Sequence, residues 1–365
     1  MTHLSAPMQL DAVTVKNRLV MPPMVLFKGR EAPWEPDQAH LEYYGRRAAA
    51  GTGLIIVEAT AVDPSGRLAP FQLRAWDDSH IPVLACIAEA IKRHDTSALV
   101  QIHHAGANTS PDCLDGVTPA SPSGVPMGRH AARELTGDEI ERLIESYATA
   151  AMRCLRAGFD GVELHGAHGY LLNQFLSPAF NRRRDRWGGP AIEERLAFPL
   201  AVARAVRSAM GGRAILGYRL GAVEYIKDGL ALEEGLAAAK ALEASGTLDV
   251  LHISRGYWRG KEPPVPPEFG FSRLMWLGAQ VKKVVRLPVI AVGGIRTGGE
   301  AEAALAAGAG DLIAVGKAML ADPDWSAKAL RGADQEIIPC RVCRRCMHFT
   351  DGERCPARGD GVTVK

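Results

Sequence analysis

The feature of this sequence that most constrains its fold is a regular alternation of short apolar runs with alanine-rich amphipathic segments. Eight apolar runs are predicted to be strands: residues 18–24, 53–59, 98–104, 161–165, 214–220, 249–254, 288–293 and 311–315. The amphipathic segments between them, at 137–157, 192–209, 232–244 and 299–307 among others, are predicted to be helices. Several strands are apolar without interruption, as parallel strands covered on both faces should be. Eight βα units without an obvious linker predict a single (β/α)8 barrel, a TIM barrel.

An open, doubly wound sheet is the alternative fold for alternating strands and helices. A dinucleotide-binding version of that fold needs a glycine-rich turn directly after a strand. Here the glycine pairs at 51–53 and 308–310 precede predicted strands instead. We therefore expect a single barrel at residues 1–335, followed by a short cysteine-rich extension at 336–365.

Composition and charge exclude several classes of function. The 365 residues carry 43 basic and 41 acidic side chains, a net charge of +2, so the chain lacks the basic surface that nucleic-acid binding requires. No apolar run approaches the ~20 residues of a membrane span, and the N-terminus shows no basic-then-apolar signal pattern. We expect a cytoplasmic homo-oligomer that acts on small molecules.

Two histidines and a tyrosine follow the fourth predicted strand, with the spacing His165-x-x-His168-x-Tyr170. Imidazoles can donate hydrogen bonds to a developing oxyanion, and a nearby phenol can donate a proton. The same histidine pair would also suit half of a metal site, or two structural histidines at a strand end. Gly166 and Gly169 disfavour the helix on which zinc-binding histidine pairs usually lie. These residues alone leave the catalytic and structural roles open.

Other residues that could contribute to a site lie at or just after the ends of five further predicted strands, in the segments 21–24, 58–60, 101–106, 218–220 and 252–256. In a barrel the carboxyl ends of all strands meet at one face, where barrel enzymes have their active sites. This convergence favours a catalytic role for His165 and His168. For Arg219 alone, an ion pair at a strand end is the alternative.

The last two predicted strands end in glycines, with Gly293-Gly294 after the seventh and Gly316-Lys317 after the eighth. Glycine lets backbone N–H groups approach an anion closely, and loops seven and eight are where barrels most often bind phosphate. Lys317 supplies a matching positive charge. These residues favour a phosphate site, and tight strand-to-helix turns are the alternative.

Together these motifs closely resemble the old yellow enzyme family of FMN-dependent ene-reductases. The resemblance covers nearly the whole chain, including the strand at 53–59, the Asn-x-Arg-x-Asp-x-x-Gly-Gly segment at 181–189 and the two glycine loops. It implies an NAD(P)H-dependent flavin oxidoreductase that reduces alkenes conjugated to a carbonyl. His165 and His168 would hold the carbonyl oxygen of an α,β-unsaturated substrate, and Tyr170 would protonate the alkene carbon.

The same resemblance implies that FMN lies across the mouth of the barrel. Arg219 would lie near the N1–C2 edge of the isoalloxazine, where positive charge stabilises the anionic reduced form. The residues expected to contact the cofactor are Pro23, Met24, Val25, Ala59, Gln101, His165, Arg219, Ser254, Gly293, Gly294, Gly316 and Lys317. One branch of the family has a cysteine and a tyrosine after the first strand. Val25 and Phe27 stand there in this chain, and neither side chain can form a hydrogen bond.

Four cysteines lie close together near the end of the sequence: Cys340, Cys343, Cys346 and Cys355. Such clustering favours a metal site over disulfides, and two successive two-residue gaps are typical of [4Fe–4S] binding. The run resembles that of trimethylamine dehydrogenase and 2,4-dienoyl-CoA reductase. A zinc ion held by four cysteines is the alternative. A cluster would also imply an electron-transfer partner.

Two other functions stay open. The cysteine run would suit an amine dehydrogenase or a dienoyl-CoA reductase. By the resemblance, amine dehydrogenases have tyrosine at the position of His165, and dienoyl-CoA reductases lack the histidine pair. A metal-binding barrel without enzymatic activity is the third candidate, which a flavin that responds to NADPH and to an enone would dismiss.

Overall fold

A closed barrel of eight parallel strands forms the body of the protein in the computed structural model. The structure describes residues 3–26, 38–259, 262–344, 346 and 355–358. Phe27 lies outside the described residues, as do most residues of the predicted extension beyond Cys346. The predicted (β/α)8 fold is confirmed.

The strands match the predicted positions within a few residues. They are β1 (Met8–Leu10), β2 (Val13–Val15), β3 (Leu19–Met21), β4 (Leu54–Ala61), β5 (Ser97–His103), β6 (Ala120–Ser121), β7 (Arg133–Glu134), β8 (Gly161–Gly166), β9 (Ile215–Gly221), β10 (Val250–Ser254), β11 (Val289–Val292) and β12 (Leu312–Ala314). Strands β3, β4, β5, β8, β9, β10, β11 and β12 follow one another around the barrel, and β12 pairs with β3 to close it.

Helices follow most of the barrel strands and cover the outside of the barrel. They are α1 (Gln38–Ala49), α2 (Ile81–Lys92), α3 (Gly137–Arg156), α4 (Leu171–Leu176), α5 (Ile192–Arg195), α6 (Ala197–Met210), α7 (Leu232–Ala244), α8 (Arg273–Lys282), α9 (Gly298–Ala306), α10 (Lys317–Ala321) and α11 (Trp325–Leu330). Among the helices that the structure describes, none has the length and apolar character needed to cross a bilayer. The homo-oligomer and the cytoplasmic location stay predictions.

The first barrel strand is shorter than the sequence analysis predicted, because β3 ends at Met21 instead of continuing to residue 24. Pro22 and Pro23 follow it, and proline has no backbone N–H to donate to a neighbouring strand. The chain leaves the sheet at this point, and residues 22–25 line the mouth of the barrel.

The helix predicted at 192–209 is also divided, into α5 and α6, with the break at Leu196. Pro199 explains the break, because a proline ring in a continuous helix would clash with the carbonyl four residues earlier, here that of Arg195. The buried Arg195 side chain fixes the junction through Nε, which donates to the Leu176 carbonyl at 2.8 Å.

A hairpin that the sequence analysis did not predict packs at the amino-terminal end of the barrel. Its strands β1 and β2 pair in antiparallel register. Leu10 and Val15 from this hairpin pack against residues near the beginning of the barrel strands, including Leu54 and Ile215. This end of the barrel is therefore apolar, and polar groups gather at the opposite, carboxyl-terminal end.

Candidate active site

A cavity of about 560 Å³ opens at the carboxyl ends of the barrel strands. This volume falls within the roughly 300–1,000 Å³ that is usual for ligand pockets. The predicted cofactor-binding and catalytic residues that line it are Pro23, Met24, Val25, Ala59, Gln101, His165, His168, Tyr170, Arg219, Gly293, Gly294, Gly316 and Lys317. These residues are far apart in the sequence, and the closed barrel brings them together.

His165 lies near the end of β8, and its side chain is buried. The strand register places it beside Arg219 of β9. Its Nδ1 atom is buried and has no hydrogen-bond partner among the residues that the structure describes. Burial, and then the positive potential of His168 and Arg219, hold the pKa of His165 well below the usual 6.5. The imidazole is therefore neutral at physiological pH and carries one N–H.

His168 lies in the turn after β8 and has a left-handed backbone, with φ of 59°, which is uncommon outside glycine. Its ring meets that of His165 edge-on, with ring centroids 5.1 Å apart. The Nε2 atom of His168 lies 2.7 Å from Oγ of Ser254. Burial also holds the pKa of His168 well below 6.5.

Ser254 is the predicted cofactor ligand that does not line the described cavity. It is almost fully buried behind His168 at the end of β10. The hydroxyl that the resemblance assigned to the cofactor is here a partner of the second histidine.

Tyr170 immediately precedes α4 and completes a group of aromatic rings around the histidines. Its ring centroid lies 4.8 Å from that of His165 and 4.9 Å from that of the buried His103. Burial raises the pKa of Tyr170 to about 12, so the phenol stays protonated at physiological pH. Two neutral imidazoles and one phenol thus meet on one side of the cavity.

A network of buried polar side chains lies deeper in the barrel. Nε2 of Gln101 donates to Oε1 of Glu163 at 2.7 Å, and Oε2 of Glu163 lies 2.7 Å from Nδ1 of His252. All three residues are at most 1% exposed. No role was predicted for Glu163 or His252 from the sequence. Glu163 lies two positions before His165 on one strand, so alternation of side chains along a strand would have pointed to it as a second inward-facing residue.

The glycine loops predicted to hold phosphate lie along the same cavity. Gly293 and Gly294 have φ values of 130° and 80°, a region that L side chains rarely adopt. A Cβ added at Gly293 would also lie 2.8 Å from the Leu274 side chain, so that a larger residue does not fit. Lys317 is the first residue of the short helix α10, which follows β12, and it also lines the cavity.

Several other residues line the cavity but were not predicted as site residues from the sequence. They are Pro22, Leu68, Leu274, Val292, Ile295, Arg296, Ala314, Ala318, Leu320 and Val342. Most are apolar and lie beyond the strand ends, where the path of a loop is not evident from hydrophobic pattern. Arg296 is charged, but its guanidinium pairs with Glu300 at 2.8 Å.

A family model described as the NADH:flavin oxidoreductase / NADH oxidase family matches residues 3–336. The chain belongs to this family. The predictions of an old yellow enzyme relative and of an NAD(P)H-dependent flavin oxidoreductase are thus confirmed at the level of the family, for which FMN is the cofactor.

Similar proteins carry names that agree with the family. The chain is 41% identical to an NADH oxidase from Thermoanaerobacter brockii, over 94% of this chain and 53% of that protein. It is 35% identical to an NADPH dehydrogenase from Listeria innocua serovar 6a, over 92% of this chain and 97% of that protein. It is 38% identical to an NADH:acrylate oxidoreductase from Vibrio harveyi, over 88% of this chain and 32% of that protein. The chain therefore spans about half of the first relative and nearly all of the second.

Solved structures of two relatives have the same fold. A 2-naphthoyl-CoA reductase superposes with a TM-score of 0.87 at 26% identity, over 96% of this chain and 56% of that one. Morphinone reductase superposes with a TM-score of 0.78 at 29% identity, over 91% of this chain and 90% of that one. The family barrel is thus shared with proteins of different named substrates.

The cysteines at the end of this flavin oxidoreductase chain line a second cavity, of about 30 Å³. All four of Cys340, Cys343, Cys346 and Cys355 contribute to it, and Cys340 and Cys346 also line the larger cavity. Sγ of Cys340 accepts a hydrogen bond from the Val342 N–H at 3.5 Å. Within the described part of the chain, no group of three or more His, Cys, Asp or Glu side chains is arranged to hold a metal ion. The metal centre stays a prediction.

Proposed function

We propose that this protein is an FMN-dependent ene-reductase that uses NAD(P)H to reduce alkenes conjugated to a carbonyl. The observation that carries the proposal is the group formed by His165, His168 and Tyr170 on one side of a cavity that the predicted cofactor residues also line. The chemistry supplied by FMN, when bound, is hydride transfer. A hydride from NAD(P)H and a proton together saturate one C=C bond, and NAD(P)⁺ is released.

The two histidines suit the binding of a carbonyl oxygen. Burial keeps both imidazoles neutral, so that each has one N–H to donate. The buried Nδ1 of His165 leaves Nε2 as its donor toward the cavity. The Ser254 hydroxyl can donate to Nε2 of His168, which would place the proton of that ring on Nδ1. Two such donors stabilise the negative charge that forms on the oxygen as hydride adds to the β-carbon.

Tyr170 suits the role of general acid, because its pKa of about 12 keeps the phenol protonated while the α-carbon needs a proton. The names of two relatives support an activated alkene as substrate, since acrylate and morphinone each appear in them. The 2-naphthoyl-CoA reductase supports the alternative, a thioester substrate of the dienoyl-CoA reductase type. The histidine pair favours the first proposal.

Protein purified under anaerobic conditions provides the test of this function. We expect the flavin absorbance to bleach when NADH or NADPH is added, and to return when an enone such as cyclohexenone is added in the absence of oxygen. The saturated ketone should appear in equal amount to the NAD(P)H consumed. Flavin that is bleached but that no enone, acrylate or enoyl thioester reoxidises would contradict the proposal.

We propose that the glycine loops and Lys317 hold the phosphate of FMN. A charge-assisted hydrogen bond contributes ~1.5–3 kcal/mol, so Lys317→Ala should weaken FMN binding by roughly 10- to 100-fold. The change in FMN affinity is measured by titrating the flavin-free protein with FMN and monitoring the quenching of the FMN fluorescence. Lys283→Ala, which removes an exposed lysine at the end of α8, is the matched control. Equal affinities for the two variants would place the phosphate elsewhere.

We also propose that the four cysteines bind one [4Fe–4S] cluster. Their donor set fits, because four thiols from separate positions line one cavity and a backbone N–H already donates to one sulfur. A zinc ion held by the same four thiols is the alternative. The two successive two-residue gaps between Cys340, Cys343 and Cys346 favour the cluster. Cys340 and Cys346, which line both cavities, would place this centre beside the flavin site.

A further inference from the structure

We propose that Glu163 is a positioning residue beneath the flavin site. Its carboxylate orients Gln101, and its negative charge lowers the reduction potential of bound FMN by partly cancelling the positive potential of Arg219 at the cofactor. Glu163 lies on β8, inside the barrel, and is 1% exposed. A carboxylate buried this deeply is costly to retain unless it is paired and hydrogen-bonded. Its retention in the barrel interior therefore needs an explanation.

The hydrogen bonds of Glu163 determine how its neighbours are oriented. A carboxylate can accept hydrogen bonds but cannot donate, so the group of Gln101 that faces it at 2.7 Å must be the amide NH₂. The carbonyl oxygen of Gln101, which lines the cavity, is thereby left to accept a hydrogen bond from a ligand. Burial lowers the pKa of His252, so that ring is neutral, and its Nδ1–H donates to the second carboxylate oxygen.

Among the described residues, no lysine or arginine forms a direct ion pair with Glu163. Its close contact with a basic side chain is with His252. The nearby buried cation is Arg219 on the adjacent strand β9, two residues beyond Gly217, which is the register partner of Glu163. Its Nε has no hydrogen-bond partner among the described residues. Burial lowers the pKa of Arg219, and the carboxylate of Glu163 opposes that shift by stabilising the guanidinium charge. The two charges therefore act on each other through the barrel interior, where screening is weak.

The consequence concerns the cofactor and rests on the flavin assignment. Reduction adds negative charge to FMN, which Arg219 favours and a fixed carboxylate opposes. A buried Glu163 carboxylate therefore reduces the preference of the site for the reduced cofactor. Its second effect, through Gln101, is on the binding of both redox forms.

Two variants separate the effect of the Glu163 charge from the effect of the length of its side chain. Glu163→Gln keeps the length of the side chain and can still accept from Gln101, but removes the charge. We expect the affinity ratio for reduced over oxidised FMN to rise on the order of tenfold, which is about 30 mV in the positive direction for a two-electron couple. Glu163→Asp keeps the charge and shortens the side chain, so it should weaken FMN binding with the midpoint potential close to that of the wild type.

FMN affinity is measured by titration, and the midpoint potential by anaerobic equilibration with a redox dye. Circular dichroism checks that each variant is folded. Equal potentials for Glu163→Gln and wild type would overturn the inference. A midpoint potential of Glu163→Asp that shifts as far as that of Glu163→Gln would also overturn it. The same conclusion would follow if Glu163→Gln did not fold while Glu163→Asp did. Wild-type protein that binds no FMN would instead overturn the proposed function, and this inference with it.

Discussion

Replacing His165 by alanine is expected to slow alkene reduction by about 10²–10³-fold, which is the usual cost of removing one oxyanion donor. The imidazole lies edge-on to His168 and Tyr170 and lines the cavity. The rate at which NADPH reduces the flavin should change far less, because hydride transfer from NADPH forms no carbonyl oxyanion. Stopped-flow measurement of the two half-reactions separates these effects.

The matched control for this prediction is His165→Asn, which keeps an N–H donor at the same position. We expect it to recover part of the lost rate of alkene reduction. Equal losses in the two half-reactions of His165→Ala would show that His165 supports the flavin site in general. In that case its assignment as a carbonyl donor would be wrong.

The second large effect is expected in metal content. Protein purified without oxygen should be brown and should contain about four irons and about four acid-labile sulfides per chain. Serine in place of Cys343 should abolish the iron, since a cluster of this type requires all four thiolates. A zinc site would instead give about one zinc per chain and the yellow spectrum of flavin alone.

Matched controls for the metal prediction are serine substitutions of Cys86 and Cys113, two half-buried cysteines that do not line the cysteine cavity. These should keep full iron content. Folded wild-type protein that contains neither iron nor zinc after gentle anaerobic purification would refute both forms of the proposal.

Much of the candidate site could be predicted because barrel folds convert sequence order into spatial position. Once eight apolar runs are recognised as parallel strands, the residues that follow each run must lie at one end of the barrel. Gln101, His165 and Arg219 follow or end three different strands, and all line the cavity. The histidine pair could be assigned a role because strand ends and glycines are local features of the chain.

Other contacts depend on which side chains meet across the barrel, and the hydrophobic pattern does not contain that information. Ser254 and His168 are 86 residues apart, and their hydrogen bond exists because β10 and the turn after β8 approach each other. The resemblance assigned Ser254 to the cofactor, whereas in the structure it contacts the histidine. Glu163 and His252 are likewise 89 residues apart.

Local features of the sequence were enough to predict the (β/α)8 barrel, the family and the end of the barrel at which chemistry is expected. It could do so because apolar periodicity, strand-ending glycines and short polar motifs are properties of neighbouring residues. The folded structure was needed to show that Nδ1 of His165 is buried and that Nε2 of His168 meets Ser254. It was also needed to show that a carboxylate lies buried near Arg219, and that four cysteines line one small cavity beside the larger one. These depend on burial and on hydrogen bonds between distant strands, which form when the barrel closes.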